Sequence, residues 1–261
     1  MIYRLYGAVT AITFLILCPE WVRPSVVGGS EPLFLCLLLA SWLAFRADQA
    51  LIAAILASLA TTVRPLGAIA VCAFAFALLL RRDWRRLSIC ICVAVGIGVA
   101  YLAWLRTGTG DPFTNVRLYS ATWPSGAPFS LPLVRLAKSI VRMLQSPVPW
   151  TRSIQPFFCM AFLVFGIFAL SKHARAFLQQ YPAELVFVIG YLGFMTCYND
   201  VDIAGELTRY TIPVYPFLIF SFREWLPKNR FVYWPLVLLS GLIASADLVG
   251  FRTVFGFSLH S

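Results

Sequence analysis

The sequence predicts an all-α fold, a polytopic bundle of about nine transmembrane helices, and three observations predict it. Apolar types make up 60% of the 261 residues and charged types only 12%, against roughly a quarter charged in soluble domains. Mean hydropathy is +0.81. The basic residues fall in short clusters between uninterrupted apolar runs, which is the pattern of helix ends at a membrane face. A soluble chain of this length would form one or two domains with a real core, but its surface would need far more charge than 21 basic and 11 acidic residues supply. The expectation is a single transmembrane domain over residues 1–261.

Cutting the apolar runs at charges and at Gly/Pro clusters yields segments at about 4–18, 32–46, 49–63, 65–80, 87–105, 154–170, 183–198, 209–226 and 231–250. The first resembles the apolar region of a signal peptide. Leu17 occupies the position where a cleavage site needs a small residue, and further apolar segments follow, so it reads as a retained helix. Orientation follows from the short loops. Arg4, Arg46, the run Arg81-Arg82-Asp83-Trp84-Arg85-Arg86, Lys172 with Arg175, and Arg223 with Lys228 and Arg230 all fall on one side when the segments alternate. That side is cytoplasmic by the positive-inside rule.

The opposite side receives loops 19–31, 106–153 and 199–208, the turn at Arg64-Pro65, and the C-terminal tail. Glu20, Glu31, Arg64, Asp111, Asp200, Asp202, Glu206 and Arg209 all map there. The inner acids Asp48, Asp83 and Glu224 sit beside arginines that neutralise them. An outward-facing site is therefore expected.

The third and fourth segments are short for a hydrocarbon core of about 30 Å. Arg64, in the turn between them, has two readings: an intramembrane cation that meets an anionic partner, or a side chain that snorkels to the interface while Pro65 starts the next helix. In the long outer loop, Leu133, Leu136, Ala137, Ile140, Val141 and Leu144 repeat at helical spacing, with Arg135, Lys138 and Arg142 on another face. This predicts an interfacial amphipathic helix at about 131–145, serving either as a membrane anchor or as a guide for a lipid phosphate. Tyr119 and Trp123 offer flat faces for a sugar, or belong to the aromatic belt.

The net charge of +10 does not point to nucleic acid, because no polar basic domain exists to hold it. Seven cysteines without CxxC spacing read as small buried hydrophobes, and two histidines add no metal centre. No cofactor is expected. Asp200-Val201-Asp202 is an Asp-x-Asp arrangement that could hold a divalent ion with a phosphate, or a solvated loop.

Three stretches, in order, carry a family resemblance: Gly28-Gly29-Ser30-Glu31-Pro32-Leu33-Phe34, then Thr62-Val63-Arg64-Pro65-Leu66-Gly67, then Arg209-Tyr210 with Pro213, Tyr215 and Pro216. Together they resemble polytopic glycosyltransferases of the GT-C type. Nearest among these are the mannosyltransferase-like proteins related to the second mannosyltransferase of GPI-anchor synthesis, with bacterial aminoarabinose-transferase-like proteins further off. The resemblance implies transfer of a sugar, with mannose as one candidate, from a polyprenyl-phosphate donor to an acceptor hydroxyl on the outer or lumenal face. It implies Glu31 as the candidate acid of the site and Arg64 beside the donor phosphate, with Arg209 and Tyr210 lining the cavity from the other side. Asp200, Asp202 and Glu206 join them as candidate substrate-binding residues. Each has a structural competitor: Ser30 as an N-cap with Glu31 on the helix dipole, and Arg209 in a simple pair with Glu206.

One departure bears on catalysis. The family carries its catalytic acids in a large outer loop ahead of the Ser-Glu-Pro stretch, whereas residues 19–31 offer only Glu20 and Glu31. The expectation is a GT-C-like enzyme or its C-terminal portion, with the missing loop on upstream sequence, lost in a degenerate copy, or supplied by a partner chain. The alternatives are a multi-pass transporter or flippase, and a non-catalytic membrane subunit. Expected partners are membrane lipid and a polyprenyl-phosphate-linked sugar. The expected location is a bacterial cytoplasmic membrane, since Phe257-Ser258-Leu259-His260-Ser261 carries no eukaryotic retention signal.

Overall fold

The computed structural model describes residues 1–17, 29–115, 117–118, 131, 134, 137–138, 141, 150–197, 210–227, 229–242 and 245. Among these the secondary structure is helical throughout. The helices are α1 (Ile2–Leu17), α2 (Glu31–Arg46), α3 (Ala50–Val63), α4 (Ala68–Leu80), α5 (Trp84–Thr109), α6 (Trp150–Gln180), α7 (Pro182–Cys197), α8 (Tyr215–Ser221) and α9 (Tyr233–Leu242). Short 3-10 turns at Pro65–Gly67, Arg223–Trp225 and Arg230–Val232 link them.

Local chemistry explains the ends. Two helix–helix turns close in the same way: Gln49 N–H reaches back to the Ala44 carbonyl at 2.9 Å, and Asp83 N–H to the Leu78 carbonyl at 3.1 Å. Asp48 (φ 58°) and Arg82 (φ 56°) take the left-handed position that such caps require. The Asp83 carboxylate then accepts from Arg86 N–H at 3.1 Å and starts α5, which ends on left-handed Gly110. This cap carries α5 from residue 84 to residue 109, beyond the 87–105 that hydropathy alone marks.

Two further departures from the expected segments have the same root, that hydrogen bonding and not hydropathy ends a helix. α6 continues through Lys172, His173 and Arg175 and stops only at Tyr181, next to Pro182, whose ring disfavours helix in the residue before it. The expected helix over 209–226 is broken instead: α8 keeps seven residues, because Pro213, Pro216 and Pro227 punctuate that stretch.

The core is aromatic. Trp42, fully buried on α2, meets Phe74 of α4 at 4.6 Å, Phe187 of α7 at 4.9 Å and Phe217 of α8 at 4.8 Å between ring centroids. These are edge-on and tilted contacts, the geometry that ring quadrupoles favour. Tyr6 of α1 joins from the side at 5.7 Å from Phe217. On α3, Ala53, Ala54, Ala57 and Ala60 are buried, letting neighbouring helices approach closely.

The outward faces are apolar as well: Leu51, Ile52, Ile55 and Leu59 of α3, Ile91, Val95, Val99 and Leu102 of α5, and Leu236, Leu238, Leu239 and Leu242 of α9 are exposed. For the same reason the cysteine expectation needs correcting. Cys36 of α2, Cys72 of α4 and Cys92 of α5 are exposed, and of the described cysteines only Cys90 is fully buried. Among the described residues one helix, α5, is by itself long and apolar enough to cross a membrane, and its apolar window is almost wholly exposed.

Candidate functional site

α2 is tied down at both ends by a carboxylate–guanidinium pair, one at its first residue and one at its last. At the start, Pro65 disfavours helix at Arg64, which is extended at φ −144°, ψ 130°. The chain then folds back in the Pro65–Gly67 turn so closely that a Cβ on Gly67 would lie 2.4 Å from the Thr61 nitrogen. Only glycine fits there, and the tight turn sets Arg64 against the N-terminus of α2.

Arg64 has a side chain 11% exposed and Glu31 one 2% exposed. The guanidinium donates from Nη2 to Glu31 Oε1 and from Nε to Ser30 Oγ at 3.1 Å. The Tyr210 ring lies 5.5 Å from it, within cation–π range. Arg64 thus meets an anionic partner, and Pro65 opens the next helical segment. Ser30 makes no side-chain cap to α2; its hydroxyl serves Arg64 instead.

Glu31 stands at the positive end of α2, where the helix dipole favours its charge. Arg64 Nη1 and the Tyr191 hydroxyl are among the polar atoms of this neighbourhood that are buried with no hydrogen-bond partner among the described residues. Tyr191 of α7 interacts electrostatically with Arg64, Tyr210 and Glu31, so four side chains from four stretches of the chain converge. A buried donor without an acceptor costs about 1–3 kcal/mol, and more when charged. The cluster thus has unused capacity for an anion.

At the other end of α2, Arg46 donates from Nη2 and Nε to Glu184 Oε1 at 2.7 and 3.1 Å, and from Nη1 to the Leu5 carbonyl at 2.7 Å. The rings of Tyr6, Tyr181 and Phe220 surround it at 4.7, 5.3 and 5.5 Å. Sequence reasoning treated Arg46 as a topology signal and passed over Glu184. The available clue was a lone carboxylate opening an apolar helix, which demands a cation when buried.

Of the residues singled out from sequence, Glu31, Arg64 and Tyr210 come together. Asp200, Asp202, Glu206, Arg209, Arg135 and Arg142 lie outside the described residues. Lys138 is exposed, and with Val134, Ala137 and Val141 it is helical, within the stretch expected as an interfacial helix. Tyr191 was not anticipated. Among the described residues no group of three or more His, Cys, Asp or Glu side chains could hold a metal ion. No family model, curated protein or solved structure matches the chain, so a functional reading rests on the geometry of this cluster and on the residues that carry the resemblance.

Proposed function

We propose that the chain is a multi-pass membrane glycosyltransferase of the GT-C kind, or the C-terminal portion of one. In this reading it binds the phosphate of a polyprenyl-phosphate sugar at the Glu31–Arg64 end of the bundle. The observation that carries this is the buried Arg64 guanidinium, aligned by Ser30 and Glu31, with its Nη1 donor unpartnered among the described residues.

A membrane setting is supported by the exposed apolar faces of α3, α5 and α9, which would form very large exposed patches on a soluble protein. α5 spans about 39 Å at 1.5 Å per residue, enough to cross. α6 carries an uncharged run from Ser153 to Ser171. The helices of 13–16 residues reach only about 20–24 Å, a mismatch that a locally thinner bilayer accommodates at modest cost. Arg46, Arg81, Arg82, Arg85 and Arg86 gather at the end opposite Arg64, which favours an outer placement for the Arg64 cluster. A cell membrane, most simply a bacterial cytoplasmic membrane, is the proposed location.

In the transfer, an acceptor oxygen bonds to the anomeric carbon as the bond from that carbon to the phosphate oxygen breaks, and the phosphate leaves with the electron pair. Arg64 stabilises the charge that grows on this leaving group. Glu31, committed to Arg64, is a positioning residue. The acceptor proton goes to another carboxylate, for which Glu20, Asp200, Asp202 and Glu206 are the candidates in this chain, and an acidic loop on a partner chain is the candidate outside it.

The test is transfer of labelled mannose from polyprenyl-phosphate mannose in membranes containing the chain, compared with Arg64→Ala and with membranes lacking it. Label passing to a product in the first sample only supports the reading. Wild-type protein that inserts normally and transfers no sugar overturns it, and loss of solute flux in Arg64→Ala would then identify a transporter.

A further inference from the structure

The Arg46 end of the bundle contains a second feature, unconnected with Arg64. A cavity of about 370 Å³ opens there, lined by Arg46, Asp48, Arg81, Gln180, Tyr181 and Glu184 among others. Its charges do not cancel in the same way. Arg46 is matched by Glu184 at 2.7 Å, and Asp48 by Arg86 at 2.8 Å. Arg81 has no carboxylate partner among the described residues; its guanidinium lies 5.6 Å above the Phe45 ring at the cavity wall.

The cavity is therefore left with one uncompensated cation, an amide from Gln180 and an aromatic wall from Tyr181. Arg82, next to Arg81 in the chain, and Arg85 are exposed and add to the positive field at this end. A planar guanidinium with free N–H donors suits a phosphate oxygen pair better than any neutral ligand. Apolar side chains are exposed at the ends of the helices that meet here: Leu79 and Leu80 at the end of α4, which leads into Arg81, and Leu51 and Ile52 at the start of α3.

We propose that this cavity holds the phosphate headgroup of an anionic phospholipid of the inner leaflet, with Arg81 as the phosphate ligand and the acyl chains lying along α3 and α4. The inference rests on the membrane reading and is independent of sugar transfer. The same chemistry would suit free phosphate, but the adjoining apolar faces favour a lipid source.

The experiment is native mass spectrometry of the full chain released from detergent, after exchange against phosphatidylglycerol or phosphatidylcholine, for wild type, Arg81→Gln and Arg81→Lys. Wild type retains phosphatidylglycerol over phosphatidylcholine. Arg81→Gln loses that preference by about tenfold or more, as removal of a charge-assisted hydrogen bond predicts, and Arg81→Lys keeps part of it. Equal retention of both lipids by wild type, or unchanged preference in Arg81→Gln, overturns the proposal. Displacement of the lipid by millimolar inorganic phosphate also overturns it and assigns the site to free phosphate. Arg64→Ala serves as the internal control. It removes any polyprenyl-phosphate adduct and leaves phosphatidylglycerol in place, so failure at one site is read separately from failure at the other.

Discussion

The two ends of α2 lie about 22 Å apart along a helix that rises 1.5 Å per residue, and each closes an arginine–carboxylate pair whose carboxylate is buried. They differ in what is left over. At Arg46 each of the three guanidinium nitrogens has an acceptor, and three aromatic rings cover the rest. At Arg64 two nitrogens are engaged and Nη1 has no partner among the described residues, with the Tyr191 hydroxyl in the same condition. A satisfied buried pair fixes a structure, whereas one with an idle donor is open to a ligand. The first arrangement bolts α1, α2 and α7 together. The second is set up to receive something.

The largest effect should come from breaking the closed end. Glu184→Ala leaves Arg46, whose side chain is 29% exposed, against aromatic rings with both hydrogen bonds to its carboxylate gone, and should cost about 3 kcal/mol. The check is a thermal melt of the detergent-purified protein, where the midpoint should fall sharply while polyprenyl-phosphate binding per folded molecule is kept. If Glu184→Ala melts like wild type, the contrast between the ends is wrong.

A smaller loss should follow from Gly67→Ala, which drives a methyl into the Ala60–Thr61 backbone. Overpacking of this kind costs about 1–3 kcal/mol. Because the Pro65–Gly67 turn aims Arg64, this variant should lose phosphate-lipid binding as well as stability, unlike Glu184→Ala. Measuring both quantities on both variants separates a bolt from a hinge of the site.

How much of this was readable in the sequence depends on distance along the chain. The order and approximate place of the helices were legible because charges and prolines bracket each apolar run. The meeting of Glu31 with Arg64 was legible in outline because one hairpin, α2 and α3, separates them. The Arg46–Glu184 pair was not, since its partners are 138 residues apart and the lone carboxylate at the start of α7 calls for a cation without saying which. Tyr191 was hidden among apolar neighbours on α7, where a tyrosine reads as packing. The length of α6 was missed because Lys172 and Arg175 look like a loop, although an exposed helix turn carries them as readily. Ser30 illustrates the opposite error. Its position invites an N-cap, and the hydroxyl was taken by an arginine 34 residues on.

Arg64→Lys sharpens the comparison further. Lysine can still pair with Glu31 but gives up the hydrogen bond to Ser30 Oγ, so stability should fall by about 1 to 2 kcal/mol. It cannot form the fork that reaches Ser30, Glu31 and a third acceptor at once. Binding of a polyprenyl phosphate, measured by native mass spectrometry, should therefore fall by about tenfold or more. Arg46→Lys at the closed end should show the reverse pattern, losing stability through its severed contact to the Leu5 carbonyl.

The smallest change in stability belongs to Tyr191→Phe. Its hydroxyl is buried and donates to nothing among the described residues, so removing it strips no hydrogen bond from the folded state and also removes a desolvated polar atom. The melt should stay within about 1 kcal/mol of wild type, on the stabilising side where it moves at all. If the hydroxyl instead completes the cradle for an anion beside Arg64, binding should weaken while the melt holds steady. That divergence, loss of ligand without loss of fold from one oxygen atom, marks the Glu31 end as a binding site; a variant unchanged in both respects would reduce Tyr191 to core packing and leave anion binding to the Nη1 donor of Arg64.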